Sequence, residues 1–143
     1  MNIFELFAKA QTNLKYPHLT LTVDGLKVKL ATNSHRPGVF ISNGKYDFDR
    51  KIYGVIHPTD IGAKVSWRPE YAIIPSIRPM MIELVKDPIK FCSLHGLKFS
   101  YCCFCGKELT AKESLFAGYG PICADNWGLP WGEVKQESTI EDL

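Results

Sequence analysis

Apolar residues recur at helical spacing over residues 2–14. Ile3, Phe7, Ala10 and Leu14 share one face, Phe4 and Leu6 widen it, and Asn2 is placed to cap the start. Tyr16-Pro17 ends the segment, because the residue before a proline is pushed out of the helical region. The period then changes to two. Leu19, Leu21 and Val23 alternate with polar residues, Asp24-Gly25 interrupts, and Leu26, Val28 and Leu30 resume the alternation. That pattern predicts a hairpin with a two-residue turn. Residues 33–38 read as a polar loop, followed by a second hairpin: Gly38-Val39-Phe40-Ile41, an Asn43-Gly44 turn, then Tyr46 and Phe48 facing the core. Further short strands are expected over 52–56, 63–67 and 71–74.

Helical spacing returns over 79–86, where Met80, Met81, Leu84 and Val85 form one face. Asp87-Pro88 breaks it and starts a second short helix over 89–95, with Gly96 as its stop. The predicted fold class is therefore α+β. It comprises an N-terminal helix, a twisted antiparallel sheet or small barrel of five to six short strands, two short helices and a C-terminal treble-clef-like zinc module. The expected divisions are 1–98 for the helix and sheet, 99–132 for the zinc-binding module, and 133–143 for an acidic flexible tail.

Five cysteines sharpen this picture, because four of them fall between Cys92 and Cys105. The N-terminus lacks the basic and apolar stretches of a secretory signal, and no apolar run is long enough to span a membrane. A clustered, odd set of cysteines in such a chain points to metal rather than disulfides, and to a cytoplasmic protein. Cys102-Cys103-Phe104-Cys105-Gly106 has the form of a zinc knuckle, in which two thiolates grip one ion and glycine closes the turn. A Thr110-x-x-Glu113 capping box is expected next, and Pro121 would start a helix carrying Cys123 in its first turn. Cys102, Cys105 and Cys123 are thus the expected Zn2+ ligands. The fourth ligand stays open, with His95 or Cys92 ahead of Cys103 and Asp125, since position 126 is Asn126. The bland alternative is a set of buried, reduced thiols.

The ordered run Cys102-Cys103-Phe104-Cys105-Gly106-Lys107-Glu108-Leu109-Thr110, Gly118-Tyr119-Gly120-Pro121-Ile122-Cys123 and Trp127-Gly128-Leu129-Pro130-Trp131-Gly132 resembles a family of phage and bacterial proteins. That family is known by a domain of unknown function whose C-terminal cysteine cluster is credited with zinc binding. Pro37-Gly38-Val39-Phe40-Ile41, Tyr53-Gly54 and Lys86-Asp87-Pro88 look similar more loosely. The resemblance implies a phage or mobile-element origin and action in the host cytoplasm. It carries no activity with it, and it disfavours Cys92 as a ligand.

Charge is uneven along the chain. Residues 1–100 hold 14 Lys/Arg against 8 Asp/Glu, and residues 101–143 hold 3 against 7. Basic residues interleave with aromatics at Lys45-Tyr46, at Arg50-Lys51 near Tyr53, and at Trp67-Arg68. On a small sheet this describes a stacking platform with a positive rim, so Lys45, Arg50, Lys51, Trp67 and Arg68 are the expected contacts to DNA or RNA. The competing expectation places the aromatics in the core. Trp127 and Trp131 are expected to clamp the zinc module to the sheet or to form a docking patch for a host protein. Asp47, Asp49 and Asp60 offer a third, weaker reading as a metal-dependent nuclease. No phosphate-binding glycine loop and no Gly-x-Ser-x-Gly is present. The sequence therefore favours a non-enzymatic accessory protein that binds nucleic acid, with host-protein binding as the alternative.

Overall fold

The first helix, α1 (Ile3–Gln11), is fixed by a reciprocal cap. The Asn2 side-chain oxygen accepts the Glu5 N–H at 2.8 Å, and the Glu5 carboxylate accepts the Asn2 N–H at 3.1 Å. Its buried face is Ile3, Leu6, Phe7 and Ala10. The computed structural model describes residues 2–131. After α1 come five strands, β1 (His18–Val23), β2 (Leu26–Asn33), β3 (Arg36–Ser42), β4 (Ile52–Thr59) and β5 (Gly62–Trp67). They form one antiparallel meander in the order β1-β2-β3-β4-β5. Asp24 and Gly25 both take positive φ between β1 and β2, which matches the strand twist and is why an Asp-Gly pair turns so tightly there.

Alternation divides the sheet into two unlike faces. Leu19, Leu21, Val28, Leu30, Val39, Ile41 and Ile56 are fully buried on the inner face. One inner row runs Leu19, Leu30, Ile41, Gly54, Trp67 across all five strands. Gly54 is needed in that row, because a Cβ there would lie 2.5 Å from the Ser66 carbonyl oxygen and 3.1 Å from the Trp67 ring. The core is one continuous cluster that joins the sheet, the helices and the cysteine segment.

Four helices follow: α2 (Ile74–Lys86), α3 (Pro88–Phe99), α4 (Lys112–Ala117) and α5 (Pro121–Trp127). Asp87 ends α2 and caps α3, its carboxylate accepting the Lys90 N–H at 3.2 Å. Among the described residues, no helix is long and apolar enough to cross a membrane.

Several expectations are corrected here. Residues 43–51 form a loop and no strand, and Tyr46 and Phe48 are exposed rather than core-facing. Asn43 braces that loop instead of turning a hairpin: its side chain accepts the Lys45 and Lys51 N–H groups and donates to the Asp49 carbonyl. Asn33 and Arg36 are strand residues, so the expected polar loop shrinks to Ser34-His35. Residues 71–74 are not a strand; they lead into α2, which begins at Ile74 and contains Pro79. Helix α3 runs through Gly96 to Phe99. The Thr110 capping box does not form, since α4 starts after Ala111 with no side-chain cap. The acidic tail expected over 133–143 lies outside the described residues.

Candidate functional site

The cysteine centre is built on backbone geometry that the sequence dictates. Ser100 leaves α3 in the left-handed conformation, and a bridge between Tyr101 and Glu108 closes a short loop. Within it the Cys102 N–H donates to the Lys107 carbonyl at 2.8 Å, and the Gly106 N–H returns to the Cys102 carbonyl at 2.7 Å. Gly106 has a φ of 77°, which tightens the turn and sets Cys102 and Cys105 on one side. Pro121 opens α5, and Cys123 sits in its first turn.

These elements bring three sulfurs together. The Sγ atoms of Cys102, Cys105 and Cys123 lie within 4.8 Å of one another, with Cys102 and Cys123 buried and Cys105 exposed. Three thiolates on tetrahedral zinc, with bonds of about 2.3 Å, sit about 3.8 Å apart, so the residues fit such an ion. The Cys102 thiol is drawn down to about 6, first by its hydrogen bond with Cys123 and then, against burial, by the N–H groups of Gly120 and Phe104. Cys123 is raised, because it holds the proton that it shares with Cys102, and burial raises Cys105. One preformed thiolate facing two thiols is a soft donor set, able to bind a metal ion and release protons as it does so.

No fourth His, Cys, Asp or Glu among the described residues joins the three. His95 is committed elsewhere. Its Nε2 accepts the Thr22 backbone N–H at 3.1 Å and lies 2.9 Å from the Tyr101 hydroxyl, while its ring is 4.5 Å from that of Phe99. A ring nitrogen accepting an N–H is unprotonated, and burial followed by the charge of Lys98 holds the imidazole at about 4. Cys103 turns away from the centre, its Sγ donating to the Cys92 carbonyl at 3.7 Å. Cys92 is fully buried, and its thiol is raised well above the ordinary value, first by the Cys103 hydrogen bond and then by burial. Asp125 is exposed.

Trp127 does clamp the module, though onto α1. Its ring is fully buried, 5.1 Å from Phe7 and 5.0 Å from Phe104, and so is withdrawn from any docking patch. Its Nε1 is buried without a partner among the described residues. A second contact escaped the sequence reading altogether. Gly96 of α3 meets Gly118 at the end of α4 so closely that a Cβ on Gly96 would lie 2.0 Å from the Gly118 carbonyl oxygen. The glycine spacing was visible in the sequence, but nothing there paired the two.

The outer sheet face has its own composition. No aspartate or glutamate occurs within the five strands, and the acids of this region, Asp24, Asp47, Asp49 and Asp60, all lie in turns or loops. One outer row runs His18, Ala31, Phe40, Val55, Ser66, and the next runs Thr20, Lys29, Ser42, Ile52. Lys27 and Lys64 are exposed on the same face. Lys45, Tyr46 and Arg50 reach this face at its rim, lining a hollow of about 130 Å³ with Lys29 and Phe40. The Lys29 ammonium bonds the Tyr46 hydroxyl and lies 4.7 Å from its ring centre. Lys51 is exposed where the loop meets β4. Trp67 is elsewhere: it points to the helix-covered face, half-buried, with the Arg78 guanidinium 5.9 Å from its ring. Arg68 follows it, its N–H bound to the Tyr53 carbonyl at 2.8 Å. Lys27, Lys29, Phe40 and Lys64 were missed, although Lys27 and Lys29 alternate with Leu26, Val28 and Leu30 and so carried the signal. Asp47, Asp49 and Asp60 form no metal-competent group among the described residues.

Fold and site together define an α+β protein with a three-cysteine centre able to hold a metal ion. A family model described as a family of unknown function (DUF6011) matches residues 94–128, the stretch that contains all three sulfurs. No curated protein and no solved structure matches the chain.

Proposed function

We propose that this protein binds single-stranded nucleic acid across the open face of its sheet. In this reading a zinc ion on Cys102, Cys105 and Cys123 fixes a treble-clef-like module against that sheet, and no reaction is catalysed. The observation that carries the reading is an outer face whose strands contain no carboxylate, where Phe40 shares a hollow with Lys29, Lys45 and Arg50 and where Lys27 and Lys64 stand further out. Phosphates track a surface of this kind by charge, and a half-exposed ring among small neighbours such as Ala31 and Ser42 gives bases a stacking partner. A sheet that merely needed solubility would be expected to mix both signs on its exposed face.

Zinc fits the donor set because three thiols at knuckle spacing are its preferred soft ligands, and the ion would contribute folding free energy rather than chemistry. The test is fluorescence anisotropy of labelled single- and double-stranded oligonucleotides with the zinc-loaded protein at two salt concentrations. Binding of single strands that weakens steeply with salt is the expected result. Absence of binding even at low salt ends the reading.

A further inference from the structure

A second candidate site lies on the other side of β1. A cavity of about 730 Å³ opens between the β1–β2 turn, α2 and α3, within the size range of small-ligand pockets. Its wall on α3 is a column of rings: Phe91 and His95 stack with centres 5.9 Å apart, and His95 and Phe99 lie at 4.5 Å. Met80 and Leu94 add apolar surface.

Around this wall stand three cations, Lys86, Lys90 and Lys98. None of them makes an ion pair among the described residues. Two of the three nearby acids are already engaged: Asp24 accepts the Ser76 hydroxyl at 2.5 Å, and Asp87 caps α3. That leaves Glu83 as the one acid of the lining with no such bond. The cavity is therefore apolar and aromatic in its wall, and its rim carries three lysines free of ion pairs among the described residues beside three carboxylates, two of them turned to local hydrogen bonds.

His95 adds a directed donor. It is only 6% exposed and lines the cavity. Because Nε2 accepts the Thr22 N–H, the ring proton must sit on Nδ1, which has no partner among the described residues. Nδ1 is not among the buried unpaired atoms, so its N–H opens onto the cavity, where water or a ligand can accept it.

We propose that this cavity binds one nucleotide unit, a planar base lying against the Phe91–His95–Phe99 column with its phosphate held by Lys86, Lys90 and Lys98. The geometry alone points to a planar ligand with an anionic group within reach of the lysines. The choice of a nucleotide rests on the proposed reading of the outer sheet face, which the cavity adjoins: Thr22 and Phe99 also line a separate hollow beside Lys27 and Tyr101. The unit is either a free nucleotide or the last residue of a strand crossing the sheet.

Backbone-amide NMR on the full zinc-loaded chain separates these cases. Adenosine monophosphate is titrated to millimolar concentration, and then a short oligodeoxyadenylate is added to a fresh sample. Shifts confined to residues around Phe91, Leu94 and Phe99 with the mononucleotide, weakened about tenfold or more in Lys90→Glu/Lys98→Glu, support a free-nucleotide site. The same shifts with the oligonucleotide alone support a strand end. Oligonucleotide binding that moves only the outer-face amides overturns this proposal and leaves the sheet reading standing. Mononucleotide binding without any oligonucleotide affinity does the reverse. No shifts with either probe overturn both.

Discussion

The backbone N–H of Thr22 donates to Nε2 of His95 at 3.1 Å, so a side chain from α3 serves as the hydrogen-bond acceptor that β1 lacks. The imidazole must stay neutral to do this. Its folded pKa of about 4 lies below the ordinary value of 6.5, because of burial first and Lys98 second.

The sign of the pH dependence follows. Between pH 6.5 and 4 the unfolded chain binds a proton at His95 that the folded chain refuses. The stability this group contributes is full above about 6.5, falls as pH drops towards 4, and changes no further below that. The loss should be about 2 kcal/mol, allowing for solvent screening at the cavity mouth. Urea melts of the wild type and His95→Gln across this window provide the check. Parallel curves for the two proteins would show that His95 is not the group responsible.

At the candidate metal centre, substitutions should separate the three cysteines from their neighbours. Cys123→Ser should lose the ion and cost about 3 kcal/mol or more, since metal binding free energy is folding free energy at such sites. Cys103→Ser and His95→Gln should each keep one ion per chain in native mass spectrometry. Loss of metal in either of those two would make it the fourth ligand, contrary to the bonds that occupy it here.

Gly96→Ala should be far more damaging than an ordinary helix substitution, where alanine is usually the better residue. The new methyl would meet the Gly118 carbonyl oxygen at 2.0 Å, and Gly118 itself packs on the Ser93 backbone with a φ of 83°. A cost of about 3 kcal/mol or more is expected from thermal melts. A neutral or stabilised variant would mean that α3 and α4 do not cross as closely as described.

Lys27→Glu/Lys29→Glu should weaken single-strand binding strongly and lower the salt slope by about 1.4, roughly 0.7 for each phosphate contact removed from a single strand. Trp67→Phe should leave affinity unchanged, because that ring faces α2. The idea fails if Trp67 matters and the two lysines do not.

What the sequence displayed was local. The capped first helix, the Asp24-Gly25 hairpin and the knuckle with Cys123 on a helix start were legible because each depends on spacing within a few residues. Errors arose where a local signal had a tertiary owner. Asn43-Gly44 has the composition of a tight turn, yet the Asn43 side chain is used to brace a nine-residue loop over 43–51. Gly96 has the composition of a helix stop, yet it stays helical because Gly118 needs the space. His95 lies three residues from Cys92 and resembles a ligand pair, but its partner, Thr22, is 73 positions away and no pattern marks it. Tyr46 left its expected core side because alternation holds only within a strand, and residues 43–51 are not one; Trp67 lies within β5, whose alternation turns it to the helix-covered face.

The outward edge of β1 is where the two halves of the chain depend on each other. Thr20 donates its N–H to the Cys103 carbonyl at 2.8 Å, and its own carbonyl oxygen receives the Tyr101 hydroxyl at 3.3 Å. Cys103 lies between two of the candidate metal ligands, so the segment that seals this strand is the one an ion would hold rigid. Chelation would then do more than loosen a loop: it would uncover a row of free backbone donors and acceptors, the usual template for chain-to-chain strand pairing. Loss of metal should therefore appear first as self-association rather than as simple unfolding.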